Sequence, residues 1–500
     1  MSFEEREATV RPPDDRAPVL VGIGTVEQRL DDPLDAKEPL SLMLEAIQRA
    51  GADSGRPELL TRVDYLAVPR GRWRYEDPGR YLAEAIGSER AESILALVGV
   101  LQQSLIGEAC QRIADGRADV ALVVGGEAGY RRLRSRLLGV PIAETEAPGV
   151  PTAVLKAKAE LQHPAEMACG LGAMPVGYYA IIESALMHRR GESVPKHRNK
   201  IAKLYSRFSE IAADNPHAWR REPLASGVIE EATPQNQMLA FPYTKRHTTS
   251  WNVDQSAALL FCSAKTAEAI GVPPSQWIYP LASTESNYMS TLSEREDVSR
   301  SPGARIAGNR ALERGGVTVD QLDFVDLYSC FPAAVQIVAE ELGMDKRLDW
   351  TVTGGMPFAG GPFNSYVLQS TCRAIELMRG RPGSTALITS ISGVMTKQGF
   401  GLWSTEPGPN PYAWEDTSAE VAEVARSVAV VTAGDMSGVV AGHTVVHADD
   451  MRTGVVLIDT DQAMRSIVST TDDAVIALLE SQDCCGRRAT AADGKLHSIS

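Results

Sequence analysis

Cysteine is scarce: there are seven in 500 residues, with no CxxC pair and only Cys484 and Cys485 adjacent. Such spacing builds neither a disulfide framework nor a Cys-rich zinc site, and a reducing, cytoplasmic compartment is expected. Long apolar runs are missing as well. The longest, such as residues 93–98, fall far short of a bilayer, and the charged start Met1 to Arg6 has no signal-peptide apolar stretch, so no membrane span is expected. Excess positive charge is also absent. Fifty Lys and Arg face 64 Asp and Glu, for a formal charge of −14, and such a chain repels polyphosphate backbones, which argues against a nucleic-acid partner. Cofactor motifs are incomplete: Gly22-Ile-Gly24 lacks the third glycine of a dinucleotide site, and neither Gly354-Gly355 nor Gly360-Gly361 leads into Gly-Lys-Ser/Thr. HExxH, DxDxDG and GxSxG do not occur. Among the eight histidines the best metal spacing is His443 and His447, two residues on one face of a strand without a third ligand, so no metal is expected.

What is present is an ordinary globular composition, 44% hydrophobic and 23% charged, long enough at roughly 150 residues per domain for about three domains. Residues 18–24 read as a buried strand, and Leu40, Met43, Leu44 and Ile47 then recur at helical spacing up to Gly51. A strand at 63–68, an apolar stretch at 93–100, a helix at 104–116 and a strand at 119–124 follow. The last is apolar on both faces, as a central parallel strand requires. The chain is therefore α/β. Its second half repeats the order: residues 311–316 and 322–327 echo 46–51 and the strand at 63, while 372–380 and 384–393 echo 110–116 and 120–126. Two duplicated βα halves around a pseudo-twofold axis are expected, with a site between them.

Between the halves, residues 130–252 are irregular and locally basic, with Lys196, Arg198, Lys200, Lys203, Lys245 and Arg246 concentrated there. Such cations suit phosphate oxygens, although a solvated surface accounts equally for a charge cluster taken alone. A proline-rich stretch at 404–411 precedes short β-like runs from Val428 onward, expected to form a small appended sheet or barrel.

The order and spacing of four segments resemble the thiolase superfamily, and more closely its sterol-carrier-protein-type members and the mycobacterial group called thiolase-like protein type 1. The segments are residues 122–127, 241–258, 326–331 and 353–362, and the resemblance spans about residues 18–403. It implies a duplicated five-layer α/β fold with an inserted loop domain that embraces coenzyme A, plus a small OB-like C-terminal β domain. The expected divisions are 1–129, first part of the N-terminal half; 130–252, loop domain; 253–280, remainder of that half; 281–410, C-terminal half; and 411–500, linker and β domain.

Chemistry of this family needs a nucleophilic cysteine at a helix N-terminus, an activating histidine and a second acid/base cysteine. The resemblance puts these roles on substituted positions: Gly99 for the nucleophile, Gly361 for the histidine of Gly-His-Pro, Ser390 for the cysteine of Cys-x-Gly and Tyr328 for the histidine of His-Asp-Cys-Phe. Only Cys330 keeps its type, and without a base its thiol stays protonated near neutral pH. Ser104 is the one alternative hydroxyl on the expected helix. The leading expectation is a thiolase-like protein of lipid metabolism that takes coenzyme A or an acyl-CoA, holds no tight cofactor and has degenerate acetyl-CoA acetyltransferase machinery. An active acyltransferase with altered residues and a non-catalytic scaffold that binds a partner through the C-terminal domain stay open. A monomer is favoured over a homodimer, with the C-terminal domain shielding apolar surface a second subunit would otherwise cover.

Overall fold

The computed structural model describes residues 14–157, 161–344, 349–448 and 451–500. Two mixed sheets carry the body. In the first, the strands Tyr65–Pro69, Val120–Ala128, Asp254–Ser263 and Pro18–Gln28 lie side by side in that order. The second sets Phe324–Asp326, Thr385–Ser392, Lys397–Ser404 and Tyr279–Ser286 in the same order. Each set has one parallel pair followed by two antiparallel pairs. The duplication expected from sequence is thus present strand by strand.

Five layers result. Helix Pro39–Asp53 covers the outer face of the first sheet and helix Pro302–Gly315 that of the second, while Gln102–Ala114 and Tyr366–Arg379 are packed between the two sheets. A helix sandwiched in this way must be apolar or small nearly all round. Leu105, Ile106, Gly107, Ala109, Cys110 and Ile113 satisfy that in Gln102–Ala114, and Val367, Leu368, Cys372, Ala374, Ile375 and Met378 do so in its counterpart.

Several boundaries shift from the sequence expectation. Strand Tyr279–Ser286 belongs wholly to the second sheet, so the division at 280 cuts through it. Trp414–Asp416, placed in the linker, adds a parallel strand to that same sheet. Ala153–Leu155, placed in the loop domain, pairs with the edge strand Glu92–Ala96 of the first sheet.

The C-terminal β domain is a closed ring of five strands: Asp435–Ala448, Met451–Thr460, Arg465–Thr470, Lys495–Ile499 and Arg488–Ala492, with the last paired back to the first. Helix Asp473–Ser481 bridges the third and fourth strands in sequence, so both ring order and helix position are those of an OB-like barrel. The barrel does not cover the sheet edges. It lies against helix Val176–Arg189, the short strand Met238–Ala240 and the turn Leu292–Glu294, and Arg465 reaches the carbonyl of Glu296 at 3.1 Å. The outer strands Glu92–Ala96 and Tyr279–Ser286 of the two sheets are flanked by Ala153–Leu155 and Trp414–Asp416, short strands of the same chain, as a strand edge is satisfied most directly by another strand. Among the described residues no single helix is long and apolar enough to cross a membrane.

The pair Gly22 and Gly24, unsuited to a dinucleotide, has a packing reason. A Cβ at Gly24 would lie 2.0 Å from the carbonyl oxygen of Ala46, and one at Gly22 would lie 2.1 Å from that of Ala50. Helix Pro39–Asp53 therefore rests directly on the strand backbone. Gly24→Ala should cost about 1–3 kcal/mol through overpacking and lower the midpoint of the first urea transition. Gly227→Ala should leave that midpoint unchanged or slightly raised, since nothing lies within 4 Å of the added methyl and alanine is the better helix residue.

Candidate functional site

Both central helices begin at the same place. Leu97 to Leu101 lead into Gln102–Ala114, and residues 351–365 lead into Tyr366–Arg379. The Gln102 side-chain carbonyl accepts the Val367 backbone N–H at 2.7 Å, which ties the two N-termini together. Two helix N-termini aimed at one spot concentrate partial positive charge there.

Buried Asp326 holds the second approach loop. One carboxylate oxygen accepts from the Thr351 hydroxyl at 2.7 Å, the Val352 amide at 3.0 Å and the Thr353 hydroxyl at 3.0 Å; the other accepts from Tyr366 at 2.9 Å. Burial raises the pKa of this carboxyl while those donors oppose the rise. The loop is thereby anchored at the end of strand Phe324–Asp326.

The five positions singled out from sequence gather around this junction. Gly99 has a left-handed backbone (φ 101°), and its carbonyl accepts from Ser392 Oγ at 3.0 Å and from the buried Lys397 Nζ at 3.2 Å. A Cβ at Gly99 would meet Ala157 at 2.7 Å. Ser390 is fully buried with an unpartnered hydroxyl. Ser392, two residues on and on the same strand face, is the serine that reaches the Gly99 loop. Tyr328 is buried, lies near the Gln102 side chain and packs edge-on to Tyr366 at 5.8 Å.

The Cys330 thiol lies near the Tyr179 hydroxyl, and burial pushes its pKa up to about 12, so it carries no thiolate at neutral pH. Gly361 has no room for a side chain: a Cβ there would fall 2.3 Å from the Thr249 methyl and 3.1 Å from Met356. Thr249 in turn donates to the Cys330 carbonyl at 3.4 Å. The space beside Gly361 is thus filled from the loop 241–252. Ser104, the alternative hydroxyl, is buried against Glu285 Oε2 at 2.5 Å, with no histidine among its partners.

The basic residues of the inserted region divide. Lys196 and Lys203 are exposed on helix Val194–Asp214, Lys200 pairs with Glu192 at 2.9 Å, and Arg198 is tied to the carbonyl of Glu230 at 2.8 Å. Lys245 is exposed. Two cations the sequence reading missed, Arg29 and Arg220, belong to the same region: burial first, then the charges of Arg29 and Arg246, lowers the pKa of Arg220. Arg29 also sits 5.3 Å above the Trp219 ring and 5.9 Å from that of Tyr130. The cluster abuts the Gly361 loop, because the Trp219 and Arg220 amides donate to the carbonyls of Ala359 and Phe358 at 3.0 and 2.8 Å. Arg29 and Arg246 stand far apart in sequence; only Arg220-Arg221 gave a local signal. His443 and His447 do not act as a pair: His447 bonds Glu480 at 2.7 Å, and His443 turns inward.

Comparison with known proteins gives a consistent picture. No family model matches the chain. A 3-ketoacyl-CoA thiolase of Alcanivorax borkumensis is 27% identical over 149 residues, 29% of this chain and 36% of that protein. An acetyl-CoA acetyltransferase of Methanocaldococcus jannaschii is 24% identical over 176 residues, 35% of this chain and 42% of that protein. The chain spans less than half the length of these two curated relatives. Solved structures match more completely. A monomeric SCP2-thiolase like protein type 1 from Mycobacterium smegmatis superposes with a TM-score of 0.81 at 28% identity, covering 97% of this chain and 99% of that one. The dimeric peroxisomal thiolase of Saccharomyces cerevisiae shares the fold, with a TM-score of 0.53 at 12% identity over 79% of this chain and 98% of that one.

Two outcomes follow from the geometry. Gly361→His should destabilise the protein by about 1–3 kcal/mol, and adding Thr249→Ala should recover part of the loss in a thermal melt, since it vacates the space the new side chain needs. The second concerns His217, which lies 3.0 Å from both Glu27 and Glu376. Hydrogen bonds to these carboxylates raise its pKa from 6.5 to about 9. A raised histidine stabilises fully below its unfolded pKa and loses that contribution as pH climbs through the folded value. Tm should therefore fall between pH 6.5 and about 9, and His217→Gln should flatten that part of the profile.

Proposed function

We propose that this chain, a member of the thiolase superfamily, is a coenzyme A or acyl-CoA binding protein of lipid metabolism that does not turn over thiolase substrates. One observation carries the reading: the family's catalytic positions converge at the paired helix N-termini, yet the residues there supply no activated nucleophile. Gly99 and Gly361 have no side chain, and Cys330 is held as a thiol with its pKa at about 12. Claisen exchange needs a thiolate and a base within hydrogen-bond reach of it. Neither is present among these groups.

Binding is a separate matter from turnover. The Arg29, Arg220 and Arg246 cluster beside the Gly361 loop suits the phosphates of coenzyme A, since guanidinium groups make charge-assisted, often bidentate bonds to phosphate oxygens. Trp219 and Tyr130 flank it with flat aromatic surface on which an adenine ring can stack. Of the cations read from sequence, Arg246 fits this role best. Lys196, Arg198, Lys200 and Lys203 lie on a separate helix, and two of them already have protein partners.

The same reading takes the protein to be a monomer. Edge strand Glu92–Ala96 is paired within the chain by Ala153–Leu155, which removes the open edge a second copy would need, and the M. smegmatis neighbour is described as monomeric.

Titration of the pure full-length protein with coenzyme A by calorimetry, paired with a thiolysis assay on acetoacetyl-CoA, tests the proposal. Binding without thiolysis is expected. Arg220→Glu with Arg246→Glu should weaken binding at least about tenfold, equivalent to 1.4 kcal/mol, whereas Lys196→Glu with Lys200→Glu should change it less. Thiolysis at enzyme-like rates would overturn the degenerate reading in favour of an active acyltransferase. Absence of both binding and thiolysis would leave the scaffold.

A further inference from the structure

Where the barrel meets the inserted region, three side chains of different chemistry converge away from the site described above. An imidazole nitrogen of His443, a carboxylate oxygen of Asp483 and Sγ of Cys485 all lie within 4.8 Å of one another. His443 and Cys485 are buried, at 2% and 5% exposure. They come from separate segments: His443 from strand Asp435–Ala448, and Asp483 and Cys485 from the turn after helix Asp473–Ser481.

Several features argue that this is more than chance packing. His443 is fully enclosed, its Nδ1 has no hydrogen-bond partner, and its Nε2 has only the Cys484 amide at a long 3.3 Å. A buried polar atom left unpaired is costly, and each such group calls for a reason. Asp483 is oriented from outside by His188, whose Nδ1 lies 2.7 Å from its Oδ2. An outer partner that fixes a ligand in this way is a recurring part of metal sites. His443, together with Ser184, also lines a small pocket between the barrel and the inserted helices.

We propose that His443, Asp483 and Cys485 bind a single zinc-class divalent cation within the barrel, where it meets the inserted region. Nitrogen, oxygen and thiolate sulfur donors together suit zinc better than the oxygen-only sites of calcium and magnesium. Charge balances: a thiolate and a carboxylate offset the two positive charges, and the Cys485 proton leaves to solvent as the sulfur takes the metal. Solvent completes the four-coordinate shell. The site stands at the boundary with the inserted region, because His188, which holds Asp483, lies at the C-terminal end of helix Val176–Arg189, the helix against which the barrel packs. This inference is independent of any coenzyme A site.

The test uses the full chain freed of metal by chelator, dialysed against micromolar zinc and analysed by elemental mass spectrometry, with cobalt(II) as a spectroscopic substitute. About one equivalent of zinc should remain bound, cobalt should give a thiolate charge-transfer band, and Tm should rise with zinc and fall again with chelator. Cys485→Ser and Asp483→Asn should each lower affinity at least about tenfold, and Cys485→Ser should abolish the cobalt band. Cys169→Ser should change nothing. Should the variants fail to fold, the wild-type stoichiometry and cobalt band decide alone. Zinc well below one equivalent, cobalt without a thiolate band, or folded variants that bind as tightly as wild type would each overturn the proposal.

Discussion

The rest of the molecule depends on two helices buried between two sheets with their N-termini tied together. Gln102 links its own helix to Val367, so the approach loops of the two halves are brought to one point whatever their sequence. A central helix has no solvent face, and its neighbours must therefore yield backbone rather than side chain where contact is closest. Strand Lys397–Ser404 does this: Gly399 and Gly401 leave room for Gln103, which would stand 3.0 and 2.8 Å from an added Cβ. Packing at this depth is unforgiving, and that rigidity keeps the junction of loops in place.

The replacements are mutually consistent. Thr249 fills the space an imidazole at Gly361 would need, Gly99 in turn accepts hydrogen bonds from Ser392 and Lys397, and Tyr328 is engaged by Gln102. Each of these positions is engaged by a local packing or hydrogen-bond partner. Restoring one residue therefore meets the neighbour that has settled into its place.

The inserted region and the barrel form a second unit of contact. Helix Val176–Arg189 lies under the barrel on one side and presents Tyr179 to Cys330 on the other. A charged group within this layer is well compensated: Glu183 accepts from Tyr243 and Gln336 and contacts His197 at 2.6 Å, so its charge is favoured despite complete burial. The layer thus couples the appended barrel to the residues nearest the family's catalytic positions.

The α/β class, the duplicated halves, the inserted basic region and the appended β domain were all legible in the sequence, because they follow from local periodicity and order. Apolar runs of period two and 3.6 survive in any tertiary context, and the substituted motifs could be read as residue types at fixed spacing. What the tertiary structure alone decided is which distant residues meet. The cluster of Arg29, Arg220 and Arg246, the Thr249 contact with Gly361 and the grouping of His443 with Asp483 and Cys485 each join segments whose approach depends on how layers stack. The same holds for the short edge strands Ala153–Leu155 and Trp414–Asp416. A three-residue strand has little periodicity of its own; it becomes a strand because an unpaired row of backbone donors and acceptors lies beside it.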